Sequence, residues 1–170
     1  MTRPLMQDED FEGLVSFVLD VCSEAVAAGQ DVTPMAVVAR MKDDHTPGSL
    51  GSLDLRDAQE ESNERVVQIV HDLANRPEYD LCCYIAQGLV ANTTLQPGEN
   101  LADVRQRAGE SGPPEDAEPV VITIVYSKER EGVAMHRLDR AKGRIERGQL
   151  EFPSVEHGVT LGGAFCRTRH

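Results

Sequence analysis

Hydrophobic residues recur every three or four positions over residues 11–26, and this spacing predicts an amphipathic helix. Asp8 or Asp10 is expected to cap its start, because acidic side chains are favoured in a first turn. Gly29 follows at the position where a left-handed residue commonly ends a helix. The buried face of this helix would consist of Phe11, Leu14, Val15, Val18, Cys22, Ala25 and Val26.

A second amphipathic pattern begins at Asn63 and stops at Arg76-Pro77, which predicts a second helix. Between the two helices, the apolar run over 35–41 is consistent with a strand. Residues 42–62 are rich in Pro, Gly, Ser and acids, and this composition predicts a flexible loop. A short edge strand around Leu53 to Leu55 is the alternative for part of this segment.

Residues 80–91 form a nearly continuous apolar run, which is typical of a central strand covered on both faces. Successive side chains of a strand point to opposite faces, so Cys82 and Cys83 should lie on different sides of the sheet as small buried residues. Residues 92–118 are loop-like, and their Pro-rich and acidic part over 109–118 is expected to be flexible.

From Pro119 the pattern changes to strand-length runs separated by turns that contain glycine, which predicts an antiparallel meander. The strands are expected over 120–127, 133–139, 145–152 and 158–165. A meander of this size needs helices to bury its apolar face. We therefore predict one α+β domain over 1–170, with a mixed or antiparallel sheet, a C-terminal β-meander and two main helices that cover it.

Two short motifs accompany this order of elements: Gly29-Gln30-Asp31 after the first helix, and the central run YDLCCYIAQGLVA. In outline the chain resembles small uncharacterised α+β proteins of bacteria and phages, in which a Gly-Xaa-Asp turn precedes a strand. The central strand of such proteins often ends in an acidic-aromatic pair, whereas Gln87-Gly88-Leu89 stands here. The resemblance implies a fold and no catalytic activity.

Charge divides the chain into two parts. Residues 1–118 carry 8 Lys and Arg against 23 Asp and Glu, and residues 119–170 carry 9 against 6, which together give the net charge of −12. This net charge argues against general affinity for nucleic acid or anionic membranes. The aromatic share of 4% also argues against stacking platforms for single-stranded nucleic acid.

The N-terminal residues lack the apolar stretch of a signal peptide, and no apolar run is long enough to span a membrane. We therefore expect a cytoplasmic protein with reduced cysteines. The glycine motifs that bind phosphate are absent, and the five His are too scattered to form a recognisable metal motif. No cofactor and no metal ion are predicted.

One group of residues on the meander could carry chemistry. A hairpin would bring several cations to one end of the sheet, where they could hold an anion, a phosphate-bearing ligand or an acidic protein surface. Cations also commonly protect exposed strands from edge-to-edge aggregation, and this alternative is favoured. A third alternative is self-association, in which this basic face meets the acidic face of another copy. The candidate residues are His136, Arg137, Asp139, Arg140, Arg144, Arg147 and His157.

Nucleophilic catalysis has little support, because Cys82 and Cys83 lie in the most apolar run and Cys22 on the buried face of the first helix. Cys166 is flanked by Arg167 and Arg169, which would favour its thiolate. The leading hypothesis is a protein that acts through protein–protein contact and associates with itself. The alternative is an enzyme that binds a small molecule or anion through the His136 cluster, so whether the chain is an enzyme stays open.

Overall fold

Three helices and eight strands are present in the residues that the computed structural model describes, which are 5–90, 93–94, 97–100, 103, 106, 118–152 and 168–169. The helices are α1 (Asp8–Ala27), α2 (Arg56–Glu61) and α3 (Asn63–Ala74). The strands are β1 (Met35–Met41), β2 (Pro47–Asp54), β3 (Leu81–Val90), β4 (Thr93–Thr94), β5 (Glu118–Tyr126), β6 (Glu131–Asp139), β7 (Arg144–Glu146) and β8 (Thr168–Arg169).

Six strands form one antiparallel sheet in the order β2-β1-β3-β5-β6-β7. β4 pairs with β8 in a separate two-stranded parallel ladder. The helices cover the six-stranded sheet from opposite sides: α1 packs across β3, β5 and β7, and α3 packs on β1 and β3. We call these sides the α1 face and the α3 face. The predicted α+β class with a C-terminal meander is thereby confirmed.

α1 begins at Asp8, so its first turn contains the acidic residues Asp8, Glu9 and Asp10. Its N-cap is Gln7, so the prediction that Asp8 or Asp10 would be the cap is wrong. Asp10 nevertheless closes the first turn, because its carboxylate accepts the Gln7 backbone N–H at 2.8 Å. At the other end Gly29 has a φ of 77°, and the N–H of Gln30 donates to the Ala25 carbonyl at 2.9 Å, as expected for a left-handed helix end.

β3 is covered on both faces, as its apolar sequence predicts. Cys83 belongs to the core beneath α1, and Cys82 belongs to the core beneath α3. Both side chains are fully buried, so the prediction that they point to opposite sides of the sheet is confirmed.

The predicted flexible loop over 42–62 is corrected by the structure, because most of this segment is regular. β2 pairs along β1 from Met35↔Asp54 to Met41↔Pro47, and α2 follows. Pairing with β1 supplies hydrogen bonds that the Gly- and Ser-rich sequence of β2 does not suggest, and the buried Leu55 anchors its end under α3.

The meander is confirmed for its first three strands, with β7 shorter than expected. Between the pairs Arg137↔Glu146 and Val133↔Glu151, four steps along β6 are matched by five on the other chain segment, which defines a β-bulge. The predicted strand over 158–165 and residues 109–117 of the predicted loop lie outside the described residues.

Candidate functional site

His136, the centre of the predicted cluster, is completely buried on the α1 face of β6. The backbone N–H of Gly148, in the bulge after β7, donates to its Nδ1 at 2.9 Å. Because Nδ1 accepts this bond, the ring proton is on Nε2, where it can donate to the Thr123 hydroxyl at 2.9 Å. Burial, followed by the charge of Arg147, lowers the pKa of His136 to about 4. This histidine is therefore a neutral link between three chain segments and has no access to solvent.

The cations of the predicted cluster are divided between the two faces. Arg137 and Arg144 lie on the α3 face, where both approach the Glu146 carboxylate, at 3.7 and 3.5 Å. Asp139 accepts the Lys142 backbone N–H at 3.1 Å and closes the turn between β6 and β7. Alternation along the strand thus separates these side chains from His136, although they are neighbours in sequence. His157 lies outside the described residues.

Arg140 and Arg147 point to the N-terminal part of the chain. Arg147 pairs with the Glu12 carboxylate of α1 and donates to the Ser16 hydroxyl. Arg140 pairs with Asp31 and donates to the Gln30 carbonyl at 3.1 Å, just beyond the end of α1.

Arg130, outside the predicted cluster, makes a third connection of this kind. It pairs with Asp8 at the start of α1, and its guanidinium lies 4.2 Å from the centre of the Phe152 ring and 4.9 Å from that of Phe11. The unequal charge of the two parts of the chain therefore has an intramolecular role: basic residues of the meander hold the first half of an acidic helix and the turn that follows it.

The described thiols are unsuited to nucleophilic catalysis. Burial raises the pKa of Cys82 to about 12 and also raises the pKa of Cys22 and of Cys83. Cys166 lies outside the described residues. Within the described part of the chain, no three His, Cys, Asp or Glu side chains are grouped as ligands for a metal ion. None of the helices described has the length and apolarity required to cross a membrane.

β2 provides a different kind of site, an open sheet edge. All eight of its residues are exposed, and Pro47 to Leu53 include no ionisable side chain. The N–H of Leu55 donates to the Pro34 carbonyl at 2.9 Å, which fixes the phase of the antiparallel ladder with β1. Because hydrogen-bonded pairs alternate along such a ladder, Ser49, Gly51 and Leu53 bond to β1. The N–H and C=O groups of Leu50 and Ser52 therefore point away from the sheet.

The opposite edge of the six-stranded sheet differs in both length and charge. β7 has only three residues, and two of them, Arg144 and Glu146, are charged. A short and charged strand is a common protection against pairing with another chain. Of these two edges, β2 is thus the one that can accept a further strand.

A cleft of about 750 Å³ lies where β3 continues beyond the start of β1. The Gln87 amide organises it by accepting the Val32 N–H at 3.0 Å and donating to Asp31 at 3.3 Å. The two motifs of the bacterial and phage resemblance thus meet here. Its charged side chains are neutralised by ion pairs, Asp31 with Arg140 and Arg56 with Asp54. Sequence reasoning did not predict this cleft.

Sequence reasoning also missed the β2 edge, because glycine, serine and proline usually indicate turns. A signal was nevertheless present: residues 46–53 form the longest stretch without an ionisable side chain within a segment that is otherwise rich in acids. Comparisons with protein-family models, with curated proteins and with solved structures find no match. The resemblance to bacterial and phage proteins stays a prediction.

Proposed function

We propose that this protein acts through protein–protein contact and associates with itself by adding strands at the edge of β2. The observation that carries the proposal is the exposed, uncharged edge, with the backbone groups of Leu50 and Ser52 directed outward. An unpaired edge is a template for a further strand, and main-chain hydrogen bonds supply affinity in this mode of recognition.

A second copy of the chain fits this edge better than a strongly charged partner does. Copies with a net charge of −12 repel one another over most of their surfaces. The edge is an exception, because seven successive residues from Pro47 to Leu53 carry no ionisable group. Two copies can therefore approach along β2 without placing like charges opposite each other in this stretch.

Light scattering coupled to size-exclusion chromatography, with native mass spectrometry, tests the proposal. The wild-type chain should have twice the monomer mass and dissociate on dilution. Ser52→Pro removes an N–H that points outward, so the ladder with β1 keeps its bonds while the added strand loses a donor. This variant should be monomeric at concentrations where the wild type is dimeric, with an unchanged circular dichroism spectrum.

Ser52→Thr is the matched control, because threonine retains the N–H and favours strands. It should remain dimeric. A wild-type chain that stays monomeric at all concentrations, or a Ser52→Pro variant that dimerises as strongly as Ser52→Thr, would overturn the proposal.

The alternative is that the exposed cations of the predicted cluster on the meander bind an anion, either in an enzyme or in a binding protein. It is favoured by one observation: the guanidinium groups of Arg137 and Arg144 both approach the Glu146 carboxylate, so two cations converge on one face of the sheet. Calorimetric titration with inorganic phosphate tests it. Arg144→Gln should abolish the binding signal, whereas absence of any signal from the wild type contradicts the alternative.

Both candidate functions are proposed for the cytoplasm. The three cysteines described, Cys22, Cys82 and Cys83, are free and buried, which suits a reducing compartment.

A further inference from the structure

We propose that two copies pair their β2 strands antiparallel about a two-fold axis that passes through Leu50, so that two six-stranded sheets become one of twelve strands. This inference rests on the proposed self-association and adds the geometry of the contact. It follows from which backbone groups are available on β2 and from which side chains each register would bring together.

The ladder allows only a few symmetric registers. Hydrogen-bonded pairs across a new interface must join residues whose N–H and C=O point outward, which in the middle of β2 are Leu50 and Ser52. The two-fold axis can therefore pass through Leu50, through Ser52, or through Gly51 with Leu50 opposite Ser52 of the second copy.

Side chains distinguish these registers, because residues directly opposite each other share a face of the sheet. With the axis at Ser52, Leu50 would lie opposite the Asp54 carboxylate of the second copy. With the axis at Gly51, Leu50 and Leu53 would lie opposite serines. With the axis at Leu50, Leu50 meets its own counterpart. Leu53 instead meets the register shift at Gly48, beyond which Pro47 shares the α1 face with Met41 and not the face of Leu53.

Of the three registers, the axis at Leu50 is therefore the one in which two exposed leucines cover each other. Leu50 and Leu53 are 42% and 43% exposed in the single chain, which is high for leucine. In this register Leu50 faces the second Leu50 and not the Asp54 carboxylate. No carboxylate then faces a leucine.

The assembly stops at two copies. A two-fold contact uses the same surface on both partners and closes on itself. The twelve-stranded sheet would have β7 at both ends, and β7 is short and charged. A dimer rather than a fibre is expected.

Disulfide trapping distinguishes the three registers without altering the ladder with β1. Leu50→Cys should form a disulfide-linked dimer on mild oxidation, because opposed residues of a hydrogen-bonded pair have Cα atoms about 5.5 Å apart. Ser52→Cys alone should not form such a dimer, because the two introduced cysteines would be four residues apart along the paired strands, a distance of roughly 14 Å. In a mixture of the two variants, mass spectrometry should detect the Leu50→Cys homodimer and no mixed dimer.

Each other outcome has a defined meaning. Cross-linking of Ser52→Cys alone, or only of the mixture, would overturn the Leu50 register while leaving self-association through β2 intact. A dimeric wild type with no cross-link in any sample would overturn antiparallel β2 pairing. A monomeric wild type would contradict the proposed function itself. Wild-type protein oxidised under the same conditions is the control, because it shows any cross-link that the native cysteines form.

A charge substitution provides an independent measurement, with a control of nearly equal exposure. Leu50→Lys should weaken dimerisation at least tenfold more than Leu53→Lys, because only the former places two like charges directly opposite each other. Equal weakening by the two variants would contradict an axis at Leu50.

Discussion

Among the glycines in the described part of the chain, Gly148 is the least tolerant of an added methyl group. A Cβ atom at Gly148 would lie 1.9 Å from the Met135 carbonyl oxygen and 2.9 Å from the Met135 carbonyl carbon. Both contacts are with backbone atoms, which cannot rotate away as a side chain does. In Gly148→Ala the bulge must therefore move by more than 1 Å to reach even a tight contact of about 3 Å.

This movement has a direct cost at His136. The bond from the Gly148 N–H to Nδ1 is 2.9 Å long, and a shift of that size takes it to about 4 Å, beyond hydrogen-bonding distance. A buried ring nitrogen without a partner costs about 1–3 kcal/mol, and strain in the displaced bulge adds to it. We expect Gly148→Ala to lower the free energy of unfolding by about 3 kcal/mol.

Urea unfolding followed by circular dichroism measures this loss as a lower midpoint with an unchanged slope. Gly13→Ala is the control, because a Cβ there meets nothing within 4 Å and the position is inside α1. It should raise stability by about 0.5–1 kcal/mol. A loss below about 0.5 kcal/mol for Gly148→Ala would refute the close approach, since ordinary surface substitutions have effects of that size.

Three further predictions concern individual side chains. Burial lowers the pKa of His136 to about 4, so between about pH 6.5 and pH 4 the unfolded chain binds a proton at this residue and the folded chain does not. The free energy of unfolding should therefore fall by about 3 kcal/mol as the pH is lowered through this range. Urea unfolding at several pH values measures the fall, and an equally steep fall in His136→Gln would contradict the prediction. The Lys128 ammonium donates to two carbonyls at the C-terminal end of α3, both at 2.6 Å. Lys128→Met should therefore lower the free energy of unfolding by about 1 kcal/mol. Lys142→Met is the control, and a similar loss in that variant would show that the effect is not specific to Lys128. The ion pair between Arg147 and Glu12 is partly exposed. A double-mutant cycle of Arg147→Gln with Glu12→Gln, measured by urea unfolding, should therefore give a coupling free energy of about 0.5 kcal/mol that becomes smaller in high salt. A coupling that does not change with salt would argue against an ionic contact.

The elements that the sequence predicted well are those whose signal is local. The spacing of apolar residues was sufficient for α1 and α3, and uninterrupted hydrophobicity was sufficient for β3. β2 was missed because its strand conformation depends on β1 rather than on its own residues. Leu50 and Leu53 are three positions apart and lie on opposite faces, so they give no alternating pattern.

The candidate site was harder to predict because proximity in sequence does not determine which face a side chain occupies. His136 and Arg137 are adjacent, yet one is buried under α1 and the other is exposed on the opposite side. The partners of Arg140 and Arg147 are more than 100 residues away in the chain, and no local pattern reports them. The role of Gly148 as a donor to His136 likewise depends on a bulge that only the folded ladder creates.

The contacts of α1 also determine when this helix can finish folding. Its ion pairs join residues 122 and 135 positions apart, so its partners are synthesised long after the helix itself. Until the ribosome has produced the meander, the apolar face of α1 has neither β5 nor β7 to cover it. Domains whose contacts are this distant in sequence fold slowly and expose hydrophobic surface for longer. The acidic residues of α1 would then repel those of other unfinished chains on the same messenger RNA and so keep the chains apart.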